Sequence, residues 1–373
     1  MRILELLASP VWTGPAEPMA SVAAGLMRRG HLVEMAVDTL RSGDLAERLR
    51  GMGFSVHGEL GLSTKSYPWR IALDVRRLTH AARTFEIFHA HFSHDHLLAA
   101  MAARRSTTRP RLVRTVHSAR SLRRRFLQGS LHRRTDGLIA VCQSYADELL
   151  RRFHLDPRRV AIIRGAVDAN SFTPDGVDLR GELGIPPAAP VAGIVSRIKP
   201  ERRHLDLVRA FAGVARDLPE ARLVLIGRGE ALPAVKREVE RLALGERILF
   251  AGYRGGHELR AAYRTLDVKV LLAEGNDGSC RAMLEAMASA RPVIAFRFGA
   301  PAETIITDVN GLLVEPGDLA GLAEGLKRLL SDRSRCAAMG AQARAHVQRH
   351  LTESARADAV ERFLQEVLRL PHA

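Results

Sequence analysis

Short apolar runs alternate from end to end of the chain with longer stretches whose apolar residues recur at helical spacing. That alternation predicts parallel sheets covered by helices rather than sandwiches or bundles. In the first half the expected strands are Arg2–Ala8, Leu32–Val37, Phe54–His57, Ile87–His91, Arg111–His117, Gly137–Val141 and Val160–Ile163. The second half repeats the rhythm with Val191–Ser196, Arg222–Ile226, Ile248–Ala251, Val268–Leu272, Pro292–Ala295 and Gly311–Val314. Between the halves, Asn170–Gly176 and Gly184–Pro187 carry the turn chemistry of a linker. The expected architecture is α/β: two doubly wound, Rossmann-like domains over residues 1–168 and 169–350. Residues 351–373 form a last helical pattern that either caps one domain or crosses back to the other. Such sheets bind ligands at the carboxyl ends of their strands, and two edges facing each other make a cleft.

The length of 373 residues fits two domains, and 46% apolar with 26% charged side chains is an ordinary globular balance. Three scattered cysteines, Cys142, Cys280 and Cys336, exclude a disulfide framework or zinc knuckle. The acid in Ile3-Leu4-Glu5-Leu6 and the absence of a long apolar stretch lead us to expect a cytoplasmic protein without a targeting segment. Charge changes the picture more. The formal net charge is +15, so polyanions are attracted: nucleic acid, anionic lipid or phosphorylated ligands. Between Asp95 and Asp136 there is no acid, while arginines at 104, 105, 109, 111, 114, 120, 123, 124, 125, 133 and 134 concentrate the excess. Leu122, Phe126, Leu127 and Leu131 add an apolar stripe at helical spacing among them. A helix on an anionic membrane, with Arg120, Arg123, Arg124 and Arg125 facing lipid, is one reading; a stripe packed on the domain with solvated arginines is the other.

The densest chemistry follows the strand that ends at Leu272. The acidic, glycine-rich loop Glu274-Gly275-Asn276-Asp277-Gly278 runs into Ser279, which can cap a helix, and Glu285 lies a little over two turns beyond Asp277. Hydrogen bonding to sugar hydroxyls explains an acid at an anion-favouring helix start. An acid placed for the helix dipole and a surface glutamate explain it equally.

Asp277-(seven residues)-Glu285, followed by Ala-Met-Ala-Ser-Ala-Arg-Pro-Val-Ile-Ala, resembles the E-x7-E signature of family-4 retaining glycosyltransferases, with aspartate for the first glutamate. Those enzymes have the GT-B fold of two Rossmann-like domains. Ser196-Arg197-Ile198-Lys199-Pro200-Glu201-Arg202-Arg203 is similar to their G-R-L-x-P-E-K-G; Arg202 falls on the lysine and Arg203 on the glycine. Phe298–Glu303 resembles the G-G-x-x-E turn, Asn310–Asp318 the block after it, and Arg164–Asp168 the N-G-V-D interdomain segment. The shared order is the specific signal. It implies an enzyme moving a sugar from a nucleotide-diphosphate sugar, with a UDP-sugar preferred over a GDP-sugar, needing neither cofactor nor metal. Arg197 and Arg202 would hold the diphosphate, where two cations stabilise charge developing on the leaving group. Glu285 would take the ribose, and Asp277 with Gly278 and Ser279 the transferred sugar. Gly14, in the loop Ala8–Glu17, matches a backbone-donor loop on the donor side, although a plain strand-to-helix turn fits that loop too.

His89-Ala90-His91-Phe92-Ser93-His94-Asp95-His96 crowds imidazoles around a carboxylate, and alternation puts His89 and His91 on one face. A metal site and ordinary strand-end packing are both open. The resemblance implies that His91, Ser93 and His94 line the acceptor side and that His117 stands beside the donor sugar. A glycan or lipid-linked acceptor in cell-surface polysaccharide or lipopolysaccharide synthesis would suit the basic segment and an anionic membrane surface. A nucleotide-sugar epimerase of the same fold lacks the Arg197/Arg202 and Asp277/Glu285 pattern. Nucleic-acid binding explains the charge but has no helix-turn-helix, zinc finger or aromatic-studded basic strand behind it.

Overall fold

In the computed structural model all of these apolar runs are strands. The structure describes residues 1–63, 67–122, 128–273 and 277–373, without the side chains of Arg120, Asp277, Gly278 and Ser279. The first seven strands are β1 (Arg2–Leu7), β2 (Leu32–Val37), β3 (Ser55–His57), β4 (Ile87–Ala90), β5 (Arg111–Val116), β6 (Gly137–Ala140) and β7 (Val160–Ile162). The next six are β8 (Val191–Val195), β9 (Arg222–Ile226), β10 (Ile248–Gly252), β11 (Val268–Leu271), β12 (Val293–Phe296) and β13 (Gly311–Val314). Most depart from expectation by one residue at an end. The β12 ladder starts after Pro292, which has no N–H to give, although its carbonyl accepts from Lys269.

Two compact units result, Met1–Gly165 with Glu353–Ala373 and Ala166–Gly275 with Ser279–Thr352. The first boundary falls slightly before the expected 168. Val167 N donates to Leu351 O at 3.0 Å, and the Asp168 carboxylate accepts from Asn170 N at 3.0 Å and from the Ser171 hydroxyl, so the turn begins early.

The first unit carries a parallel sheet in the order β3-β2-β1-β4-β5-β6-β7. One face buries Ile3, Leu7, Ile87, Val113 and Ile139 under helices Ala16–Arg28 and Glu353–Arg369, the latter through Val360, Phe363, Leu364 and Val367. The final helix therefore packs on the N-terminal sheet, and an Arg29–Asp358 ion pair and a His31–Glu361 hydrogen bond fasten it to the end of the first helix. The other face buries Leu4, Leu6, Phe88 and Leu112 under helices Pro68–Ala81 and Ser93–Arg105.

The second unit repeats the plan as β10-β9-β8-β11-β12-β13, again parallel. Ile194, Leu225, Val270 and Ile294 pack against helices His204–Asp217 and Leu319–Leu330, while Leu271 and Ala295 pack against Met283 and Met287 of helix Asp277–Ala288. In each sheet the strand order reverses at one place, between β1 and β4 in the first and between β8 and β11 in the second. A crevice opens beyond the carboxyl ends of the strands at such a point, because the loops diverge to opposite faces.

The basic segment, with its expected helical stripe, is described only at its two ends. Ala119–Leu122 is a short 3-10 turn and Gln128–Arg133 an α-helix, with 123–127 outside the described residues. Leu122 is buried, but in the second piece His132 takes the buried position and Leu131 is only half-buried. Arg114 is fully buried under helix Ser93–Arg105, because alternation in β5 turns it away from Val113 and Thr115. Its guanidinium meets His96 Nδ1 at 3.1 Å and Ser93 Oγ at 3.2 Å, so this charge is not part of a basic surface.

Candidate functional site

Both reversal points gather the residues singled out in the sequence. In the second unit, β8 leads through Ser196–Lys199 to the 3-10 turn Pro200–Arg202 and then to helix His204–Asp217. Two glycines after β9 press against this loop: a side chain at Gly227, where φ is +144°, would strike Ser196 O, and one at Gly229 would strike Ile198 O. Arg203 stands where the family pattern has glycine and adopts φ +58°, the left-handed region glycine favours. Its guanidinium is anchored to Asp206 at 3.0 Å.

Arg197 is exposed and Arg202 half-buried. Among the described residues neither guanidinium makes a hydrogen bond or salt bridge. Burial holds the Arg202 guanidinium below its ordinary pKa, and Arg197 beside it acts in the same direction. Glu201 opposes both effects on Arg202 but forms no salt bridge with it, so a direct anionic partner is left to a ligand.

From β11 the structure adds a residue the sequence reading missed. Lys269 is fully buried, its Nζ donating to Val270 O at 2.7 Å. Burial pushes its pKa down to about 7, opposed by Glu285 and assisted by Arg202. Glu285 is 3% exposed; it accepts from the Tyr263 hydroxyl at 2.7 Å and from Arg281 Nε at 2.8 Å. The carboxylate is thus held in one orientation by two donors. Asp277, Gly278 and Ser279 sit at the start of helix Asp277–Ala288; their side chains lie outside the described residues.

In the first unit, Gly14 is exposed in the turn between Thr13 and Ala16, just before helix Ala16–Arg28. Asp95 ties the ends of β1 and β4 together, accepting from Ala8 N at 2.9 Å and Phe92 N at 2.8 Å; burial raises its pKa to about 7. His91 is buried rather than open to solvent, Ser93 is exposed and His94 half-buried.

Glu5, His89 and His91 bring ligand atoms within 4.8 Å of one another, a spacing a metal can use. These atoms already satisfy one another. Glu5 accepts from His89 Nδ1 at 3.1 Å and from His91 Nε2 at 2.7 Å; His91 Nδ1 meets His117 Nε2 at 2.8 Å, and His89 Nε2 meets Thr115 Oγ1 at 2.8 Å. Glu5 was legible only as an acid within an apolar run, and Lys269 as a base within Val268–Leu271; charged residues in buried strands are rare enough to be a signal. Of the lipid-facing candidates, Arg123, Arg124, Arg125 and the Arg120 side chain lie outside the described residues. No helix among the described residues is long and apolar enough to cross a membrane.

Residues 16–171 match the model of Glycosyltransferase Family 4, and residues 178–346 that of Glycosyl transferases group 1. A D-inositol 3-phosphate glycosyltransferase of Xylanimonas cellulosilytica is 30% identical over 249 residues, which is 64% of this chain but 58% of that protein's length. The Anabaena protein HepE, solved in complex with UDP and glucose, superposes with a TM-score of 0.81 at 20% identity over 98% of this chain and 99% of its own. A lipopolysaccharide outer core galactosyltransferase, WaaB, does so at 0.78 with 17% identity over 98% and 99%. With both halves matched in order and the double-sheet fold shared throughout, the chain belongs to the family-4 glycosyltransferases of GT-B fold.

Proposed function

We propose that this protein transfers a glycosyl group from a UDP-sugar to an anionic or lipid-linked glycan acceptor, with the anomeric configuration retained. The observation that carries the reading is the pair Arg197 and Arg202, cations that make no direct salt bridge or hydrogen bond to a carboxylate among the described residues, at the reversal point of the second sheet. A diphosphate supplies the missing charge, and the same cations stabilise the further charge that develops as the sugar departs. Glu285, fixed by Tyr263 and Arg281, is assigned to the ribose; Asp277 with Gly278 and Ser279 to the sugar hydroxyls; His117 to the donor sugar as well, and Gly14 to the donor's backbone contacts. On one face of the sugar, the bond from C1 to the phosphate oxygen breaks, the bond to the acceptor oxygen forms, and the acceptor proton passes to the departing phosphate. No side-chain nucleophile and no metal take part. Ser93 and His94 are assigned to the acceptor.

The net charge of +15 supports an acceptor at the inner face of a membrane. Exposed Tyr67 and Trp69, stacked at 6.4 Å with Arg70 over the Trp69 ring, add the amphipathic aromatics that favour a lipid interface. A second reading, a small phosphorylated polyol as acceptor, draws on the inositol-phosphate relative. Calorimetric titration with UDP and GDP, followed by transfer assays from UDP-sugars to inositol phosphate and to lipid-linked glycans, separates the two. Retention is read from the anomeric proton of the product. Failure to bind UDP, or an inverted product, overturns the reading.

A further inference from the structure

Helix Pro68–Ala81 carries one narrow exposed stripe. Trp69, Ala72, Arg76 and His80 follow one another at spacings of three and four residues, and Arg83 continues the line just past the helix end; all five are exposed. The only acid of the helix, Asp74, points the other way: it is buried and accepts from Gly61 N at 3.2 Å and Leu62 N at 2.9 Å. Arg77, off the stripe, is paired with Glu59. Beside the stripe lies a groove of about 580 Å³, floored by Ile71, Val75 and Met101 and rimmed by Arg76, His80 and Arg83, with Arg105 from the neighbouring helix Ser93–Arg105. Among the described residues no carboxylate lines it, and the Arg76 and Arg83 guanidiniums make no hydrogen bond or salt bridge. Arg105 reaches only Met101 O, at 3.4 Å. At the start of the helix Tyr67 and Trp69 are 70% and 60% exposed, their rings stacked.

We propose that this face is the docking surface for an anionic phospholipid membrane, with Arg76, Arg83 and Arg105 on lipid phosphates and Trp69 in the interfacial layer. It rests on the reading of a lipid-borne acceptor and deepens it by naming the face that meets the lipid. The charge is of one sign, because the acids nearby are turned inward or already paired. The chemistry is of two kinds: an apolar floor carries the arginine stems while their guanidiniums reach outward, as a boundary between acyl chains and phosphates requires. Nucleic acid would answer the cations but leave Trp69 and the apolar floor without a partner. The placement fits too. Helix Ser93–Arg105 begins at Ser93 and His94, assigned to the acceptor, and ends at the groove, a rise of roughly 18 Å. One rigid element thus joins the lipid-binding face to the acceptor end. The proposal needs none of the arginines at 120, 123, 124 and 125.

The test is sedimentation of the full chain with vesicles of phosphatidylcholine alone and of phosphatidylcholine mixed with phosphatidylglycerol. The wild type is expected to bind the mixed vesicles and not the neutral ones, and to bind less as salt rises. Each arginine near an anionic surface changes partitioning roughly fivefold, so the triple variant Arg76→Gln/Arg83→Gln/Arg105→Gln should bind roughly 100-fold less tightly. All three side chains are exposed, so its thermal midpoint and its transfer to a water-soluble acceptor should match the wild type. The chain has two tryptophans, and Trp12→Phe leaves Trp69 as the one reporter. Its emission should move to the blue on the mixed vesicles and be quenched by bromine-labelled lipid. Wild-type partitioning by the triple variant, Trp69 emission unmoved on vesicles that the protein binds, or an arginine-dependent affinity for duplex DNA above that for the vesicles overturns the proposal. UDP titration separates it from the catalytic reading. A wild type that binds UDP but ignores anionic vesicles loses the docking face alone; one that binds the vesicles through these arginines but not UDP keeps the face and loses the catalytic reading.

Discussion

The two reversal points solve opposite electrostatic problems. In the first sheet Glu5, His89, His91, Thr115 and His117 satisfy one another, so the charge of a buried carboxylate is answered inside the protein. In the second sheet Arg197 and Arg202 make no direct ion pair among the described residues, though Glu201 and Glu230 lie near enough to act on them, while Lys269 is buried close enough to Arg202 to feel its charge. A closed network holds shape and an open one awaits a ligand. A protein that must orient one part of a substrate and neutralise another has use for both.

The sharpest way to break the contrast is Glu5→Leu. It strands two imidazole N–H groups in a dry interior, and removing one partner of a buried charged network costs about 3–5 kcal/mol. Urea unfolding is expected to show that loss; a change below 1 kcal/mol would mean the network is not closed. Arg197→Ala and Arg202→Ala should do the reverse. Each is expected to lower kcat/KM roughly 100- to 1000-fold, the scale of one lost donor to developing oxyanion charge, with the thermal midpoint nearly unmoved. Wild-type rates in both would remove the diphosphate assignment.

Acid should sharpen the comparison more gently. Burial holds the pKa of His91 and His132 down to about 3 and that of His204 to about 4, against an ordinary value of 6.5. In that window the unfolded chain binds protons the native one refuses, so stability falls as pH drops below about 6.5. Asp95, raised to about 7, works the other way, since the native state holds an extra proton between about 4 and 7. His96 is likewise held well below its ordinary value and Asp74 is raised by burial, so four histidines stand against two carboxyls; a lower urea midpoint is expected at pH 5 than at pH 7.5, and a higher one would refute the sign. The smallest effect belongs to Arg203→Gly. It relieves a left-handed φ but frees the unfolded chain and gives up the Asp206 pair, so a gain of no more than about 1 kcal/mol is expected. A clear destabilisation would show that the Asp206 pair outweighs the strain.

The positions and kinds of the strands were legible because a parallel strand covered on both faces reads as a continuous apolar run. The run needs no partner to be recognised. Arg197, Arg202 and Glu285 were legible for a related reason: each lies at fixed spacing from the end of such a run or the start of the helix behind it. The stripe proposed around Leu122 and Leu131 was less secure. A helical spacing predicts which side chains share a face only if the helix is continuous, and here the described parts are a 3-10 turn and an α-helix, with 123–127 outside the described residues.

Local sequence did not determine which polar residues would meet. Glu5 and His91 are 86 positions apart and Tyr263 and Glu285 are 22, and their pairing follows from strand order and helix placement rather than from either neighbourhood. Nor could local sequence decide that Arg114 is a core residue while Arg197 remains exposed, since each lies within two positions of an apolar strand residue. Burial is a property of the layer that covers a side chain. For Arg114 that layer is helix Ser93–Arg105, whose Ser93 and His96 meet the guanidinium. The hydrophobic pattern along the chain was enough to lay out both sheets; which charges they would enclose was settled only when helices packed over them and removed water from some side chains and not from others.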